Sequence, residues 1–214
     1  MKIKSFFYIA FSILISFNSL AQNKERKFKI HTLAFYNLEN LFDTINDVNK
    51  NDEASPIMEI KFNRGNIYKQ KVTNMARVIS EIGYDVTNRP PTIIGICEVE
   101  NRNVVEDLIA NEKLSKYNYG IVHYDSPDRR GIDVGLLYNK DIFKVINSNS
   151  HVLYINYNNT SDRSFTRDQL VVSGKLDGEL IHLIVNHWPS RGADETKRID
   201  RKSTRLNSSH QIIS

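Results

Sequence analysis

The stretch PPTIIGICEVEN, residues 90–101, constrains the fold of this chain more than any other. Pro90 and Pro91 oppose helix formation on its N-terminal side, and residues 92–97 are then apolar apart from Thr92, with no alternation. A short continuous apolar run of this kind suits a strand buried on both faces, which demands a layer of structure above it and another below. Glu98, Glu100 and Asn101 follow at once, so the polar groups appear where the strand leaves the core.

Elements on either side supply candidate layers. Residues 31–36 alternate in a strand-like way and end at Asn37. Residues 44–65 are rich in Asn, Asp, Lys, Pro and Gly and read as a long loop. Tyr68, Val72, Met75, Ile79 and Ile82 recur at spacings of four and three, the apolar stripe of a helix for which Gly83 is the stop. A second helix is expected to carry Val104, Val105, Leu108 and Ile109 on its inner side. Strands are expected at 119–124, 133–138, 152–157, 169–176 and 179–187, with turns at Pro127, Gly131, Asn147, Asn158 and the Asp177-Gly178 pair. Early βα alternation passing into hairpins predicts a layered α/β, or α+β, domain rather than a purely parallel sheet.

The two ends read differently. Lys2 and Lys4, the apolar run 6–17, and small residues at Ser19 and Ala21 have the pattern of a signal peptide, residues 1–21, cleaved before Gln22. That run is short for a membrane span, and no cysteine follows it to take a lipid, so a secreted protein, periplasmic or extracellular, without a stable membrane anchor is expected. Residues 200–210 resemble the translation of a common sequencing-library adapter, so 200–214 is read as non-native and 22–199 as the domain. A single cysteine, Cys97, excludes a disulfide-stapled scaffold. The net charge of +4 comes from the two ends, leaving residues 22–199 with equal numbers of acids and bases. Charge alone therefore assigns no nucleic-acid partner.

Four polar clusters stand where apolar runs stop: Asn37 with Glu39 and Asn40, Glu98 with Glu100, residues 129–133, and Asn186 with His187. A strand end holds a side chain rigidly while leaving one side open, which is what a site requires. In order, AFYNLENLF, GICEVEN, SPDRRGIDVGLLY and LIVNHWPSR resemble the motifs of the endonuclease/exonuclease/phosphatase superfamily, the deoxyribonuclease-I-like fold, over about residues 31–199. The resemblance implies a four-layer sandwich, two face-to-face mixed β-sheets flanked by helices, and cleavage of a phosphoester with a divalent metal. It implies that Glu98 is the metal ligand, that Asn37 helps hold the ion, and that His187, with Asn186 beside it, contacts phosphate and assists proton transfer. Mg2+ suits one carboxylate with several retained waters, and Mn2+ or Ca2+ would fit the same oxygens. Arg130 is expected to clamp phosphate with Asp133 orienting it, Arg191 to reach phosphate, and Glu39 and Glu100 to support the ligands. His182, within an apolar strand, reads as structural.

The family's downstream motifs, an Asp and Asn after a Gly and a closing Asp-His pair that activates water, have no match in residues 188–214; Ser208-Ser209-His210 lacks the Asp. The chain is thus expected to be the N-terminal part of the domain, incomplete at the C-terminus and inactive as it stands. The expected activity of the whole is that of a secreted metal-dependent phosphodiesterase, an endonuclease acting on extracellular nucleic acid. The alternatives are a phospholipid or inositol-phosphate phosphoesterase, which needs the same metal site, and a binding protein that keeps the fold without the chemistry.

Overall fold

The computed structural model describes residues 28–156 and 161–188. The chain divides into two units, 1–30 and 31–214. Of the first only residues 28–30 are described, without regular structure, and every element below belongs to the second. The leader, Asn158, Arg191, residues 192–199 and the adapter-like segment 200–214 lie outside the described residues.

Strands β1 (Leu33–Leu41), β2 (Ile93–Val99), β3 (Tyr119–His123) and β4 (Asp133–Asn139) form one sheet in the order β1-β2-β4-β3. Its β1–β2 pair is parallel and the other two pairs are antiparallel. A second, three-stranded sheet joins β5 (Phe143–His151), β6 (Gln169–Leu176) and β7 (Glu179–Val185), antiparallel throughout. Helices α1 (Arg64–Glu81) and α2 (Arg102–Ala110) pack on the first sheet.

The double burial expected of the apolar run is realised in β2. Ile94, Ile96 and Val99 join Val72, Ala76 and Ile79 of α1 and Val104, Val105 and Leu108 of α2 in one core. Ile93 and Cys97 join Val134, Leu136, Phe143, Leu170, Val172 and Val185 in another, between the sheets. The 3.6-residue period of α1 turns Val72, Ala76 and Ile79 inward, and Gly83, at φ 65°, stops the helix where a side chain would collide with Thr32. At α2 the Asn101 side chain accepts a hydrogen bond from Val104 N at 3.1 Å, capping the helix directly after the β2 turn.

The structure departs from the sequence expectations in several places. Of residues 152–157, expected as a strand, Tyr157 lies outside the described residues and 152–156 belong to none: Leu153 and Ile155 are buried, and Asn156 bridges Arg163. The strand lies earlier, in β5, whose sequence FKVINSNSH is too polar to announce it and which forms because β6 pairs with it along its length. Asn147, expected at a turn, sits inside β5 at a shift of register after Val145. The loop 44–65 contains a 3-10 turn, Asp52–Ala54, and a one-turn helix, Pro56–Glu59, opened by its proline. Among the described residues the second sheet is antiparallel rather than mixed, and the two longer helices cover the first sheet only.

Phe143 closes the inter-sheet core. It is fully buried, with its ring set edge-on to Tyr138 at 5.8 Å. Gly174 across the β5–β6 ladder admits no side chain, since a Cβ there would overlap the Phe143 ring and the Lys144 carbonyl oxygen. Phe143→Ala is therefore expected to lower stability by about 3–5 kcal/mol, read as a shift of the urea unfolding midpoint.

Candidate active site

Asn37 of β1 stands opposite Cys97 of β2, and both ladders lose register just beyond that pair. Glu98 occupies the break with φ 59°, while Glu39 and Asn40 on the facing strand have φ 51° and 57°. Left-handed backbone at residues with a Cβ costs on the order of 1–3 kcal/mol each, and it persists only where surrounding bonds over-determine it. Here Asn37 Nδ2 donates to Glu98 Oε1 at 3.0 Å and Asn40 N donates to Glu98 Oε2 at 3.1 Å. Glu39 N donates to Asn37 Oδ1 at 2.7 Å, and Lys71 Nζ of α1 donates to the carbonyl oxygens of Glu39 and Asn40. The bulge re-aims Glu98 out of the strand and fixes both of its oxygens.

His187 follows β7 and brings Nε2 to 3.2 Å from Glu98 Oε1. Its carbonyl oxygen accepts from Arg167 Nε at 3.1 Å, and Arg167 Nη1 donates to Asp128 Oδ2 at 3.0 Å in a fully buried ion pair. The other oxygen, Asp128 Oδ1, accepts from Arg130 N at 3.0 Å and faces the half-exposed Arg130 Nε at 3.4 Å. Burial first, then Arg167 and Arg130, push the His187 imidazole below its ordinary value against the pull of Glu98 and Asp128. Burial likewise lowers the Lys71 ammonium, opposed by Glu39 and Glu98. Asn40 and Arg130 line a cavity of about 210 Å³ with Phe42, Asn51 and Ser55.

The donor set fits a hard divalent cation. A carboxylate offers about four lone-pair sites, of which Asn37 and Asn40 engage two, with His187 Nε2 a further 3.2 Å neighbour. Asn186 Oδ1, next to His187, is buried with no hydrogen-bond partner, a neutral oxygen of the kind such ions accept. A separate set, His123, Asp125 and Asp133, brings donor atoms within 4.8 Å of one another.

The sequence profile of the endonuclease/exonuclease/phosphatase family matches residues 32–213. The chain belongs to that family. No match was found among curated proteins. Among solved structures, the endonuclease/exonuclease/phosphatase from Bacteroides vulgatus is 16% identical at a TM-score of 0.51, with 84% of this chain and 59% of that chain covered. The human nocturnin catalytic domain with bound sulfate is 17% identical at 0.48, covering 66% of this chain and 52% of that one. Truncated TDP2 from Caenorhabditis elegans is 19% identical at 0.47, covering 68% and 49%. The chain thus spans between 49% and 59% of these solved structures. The Bacteroides vulgatus likeness shows the fold, two packed sheets with helices.

Against the family's motifs, the structure brings Asn37 and His187 to the Glu98 carboxylate, and Asn186 precedes His187 with its Oδ1 buried. Asn37 meets Glu98 through its donor nitrogen, so here it orients the carboxylate. Arg130 reaches the group through Asp128 and not through Asp133, as the sequence had suggested. Asp133 is buried, accepts from Ser126 N at 2.8 Å and stands 3.3 Å from His123 Nε2. Glu39 takes part through its backbone, and Glu100 accepts from Asp43 N at 2.7 Å. His182 pairs with Ser173 Oγ at 2.7 Å on the second sheet. Sequence reasoning missed Asp128, Arg167 and Lys71; the visible signal was an Asp two residues before Arg130 and an Arg-Asp pair opening the β6 apolar run.

Two measurements follow from these contacts. Removing one partner of a buried ion pair strands the other charge, so Asp128→Asn is expected to lower stability by about 3–5 kcal/mol in chemical denaturation. Glu100 is pushed up to about 7, chiefly by burial, with Asp43, Asp52 and Asp47 adding to it and the Asp43 N–H opposing. The folded chain therefore keeps a proton that the unfolded chain releases between its ordinary value of 4.5 and about 7. Stability from this group is greatest below that window, falls as pH rises through it and is constant above it. Glu100→Gln should be more stable than the parent at pH 8, with the difference vanishing near pH 4.5, when both are unfolded in the presence of a chelator.

Proposed function

We propose that this chain carries half of the active site of a secreted, divalent-metal-dependent phosphodiesterase that cleaves nucleic acid. The observation that carries the reading is Glu98: a carboxylate held by Asn37 and Asn40 at a strained bulge, with the His187 ring 3.2 Å away. Left-handed backbone at an acidic residue is an expense that packing does not require, and it recurs where geometry serves chemistry. Family membership supports hydrolysis of a phosphoester, since members use a divalent metal for it.

Glu98 would hold Mg2+, and the ion when bound would supply charge stabilisation at the phosphate and the leaving oxygen. The protein's own groups do the rest. Arg130, half exposed and steadied by Asp128, clamps a phosphate oxygen. His187 hydrogen-bonds the phosphate and moves a proton at Nε2, while Arg167 on its carbonyl keeps the ring in place. The pair Glu98–His187 is oriented by Asn37, Asn40 and Lys71, which leaves little to reorganise on binding. Export follows from the leader pattern of residues 1–21, and the activating Asp-His pair is assigned to a downstream segment of the domain.

The test uses a small aryl phosphodiester and an oligonucleotide, with the 214-residue chain and with the chain joined to its genomic continuation. Expected is Mg2+-dependent cleavage of both substrates by the continued chain, abolished by a chelator, lost on Glu98→Gln and reduced by about 10²–10⁴ on His187→Ala. Cleavage that ignores the chelator, or that survives Glu98→Gln at the parent rate, overturns the reading. Turnover of phospholipid or inositol phosphate without turnover of the oligonucleotide overturns the substrate assignment.

A further inference from the structure

Between β5 and β6 the chain forms a small ribbon that the site does not use. Ser164 N donates to the Ile155 carbonyl oxygen at 2.6 Å, and Asn156 bridges Arg163. Its side chains alternate. Leu153, Ile155, Ser164 and Thr166 are buried, whereas Tyr154 and Phe165 are 69% and 42% exposed. Leu153 N donates to Asp168 Oδ1 at 3.3 Å, and Asp168 Oδ2 accepts from Ser150 Oγ at 3.3 Å, which pins the ribbon to the edge of β5.

On the outer side rings and cations alternate. Arg163 lies over the Tyr154 ring at 4.6 Å and over the Phe165 ring at 4.9 Å, and Arg129 lies over Phe165 at 5.7 Å. Arg163 Nε and Nη2 are buried with no hydrogen-bond partner, and Arg163 has no carboxylate partner among the described residues. Its fork is therefore held by the rings. The inner end of this ladder adjoins the site. Arg129 precedes Arg130, whose charge acts on His187, and the same segment that carries Arg163 and Phe165 continues into Arg167 on the His187 carbonyl.

We infer that the ladder Arg129–Phe165–Arg163–Tyr154 is a binding platform for single-stranded nucleic acid, on which an unpaired base stacks at Tyr154, its ring braced by Arg163, while the exposed Arg129 takes a flanking phosphate. The inference rests on the phosphodiesterase reading for its substrate class. Exposed rings interleaved with guanidinium groups offer π-faces and a cation side by side, and every base has a face to stack. A base inside a duplex has neither face free, so the platform selects unpaired strands. A lipid surface suits it less, because each ring lies against a guanidinium that insertion would drag into hydrocarbon. Strands led along this ladder arrive with their next phosphate at Arg130 and His187.

The test measures binding of a fluorescent single-stranded oligonucleotide to the 214-residue chain at one fixed salt concentration, with a chelator present so that nothing is cleaved. Expected is about tenfold weaker binding for Tyr154→Leu and for Arg163→Gln, parent-like binding for Tyr154→Phe, and weaker binding of the matching duplex than of the single strand. Both tyrosine variants alter an exposed side chain, and an unchanged thermal transition confirms their fold. Binding unaffected by Tyr154→Leu, equal binding of duplex and single strand, or Tyr154-dependent binding of phosphatidylserine vesicles in place of the oligonucleotide overturns the inference. The two readings fail separately: the aryl diester carries no base to stack, so its turnover judges Glu98 and His187 alone, and the oligonucleotide affinity judges the ladder alone.

Discussion

Strand β2 has no side turned to water, and the rest of the molecule is arranged around that fact. One of its faces needs the helices and the other needs the second sheet, so helices, first sheet and second sheet must stack in that order. A strand under this constraint has no room for a polar side chain within its length. Glu98 is admitted only because the ladder breaks at that point on both neighbouring sides, and the break turns a carboxylate from a liability in the core into a group at its rim. The position of the site is thus a consequence of where the two-sided burial ends.

What the bulge does for Glu98, a buried ion pair does for the other wall. Arg167 and Asp128 come from segments 39 residues apart and meet in one buried pair, with His187 on one side and Arg130 on the other. Buried ion pairs contribute little net stability, because desolvation offsets attraction, but they tolerate few alternative geometries. Here the pair ties the loop before β4 to the start of β6 and to the end of β7, three points that packing alone would locate only loosely. Arg130 and His187 inherit their positions from it.

Much of this was legible in the sequence because it follows local rules. The α1 stripe and its Gly83 stop, the double burial of β2 and the Asp177-Gly178 hairpin all depend on periodicity and turn chemistry within a short window. Asn37, Glu98 and His187 were visible as polar residues at the ends of apolar runs, and the family motifs tied them together. What stayed hidden depends on distant partners. β5 is a strand because β6 pairs with it, despite a composition of Asn and Ser that favours turns, and Asn147 is absorbed by a register shift that no window reveals. The pairing of Asp128 with Arg167 was hidden for the same reason. Asp133, by contrast, sits close to Arg130 in sequence, yet the strand periodicity turns it toward His123 instead.

Cys97 lies one residue before Glu98, fully buried between the sheets, with its thiol pushed up to about 12 by burial and by the Glu98 charge. Such a thiol neither ionises nor meets solvent while the sheets stay together. As the sole cysteine of the chain it is therefore an internal stopwatch: each alkylation event records one separation of the two layers. The rate at which a thiol reagent consumes it measures how often the floor beneath the Glu98 carboxylate opens, without any label having been introduced.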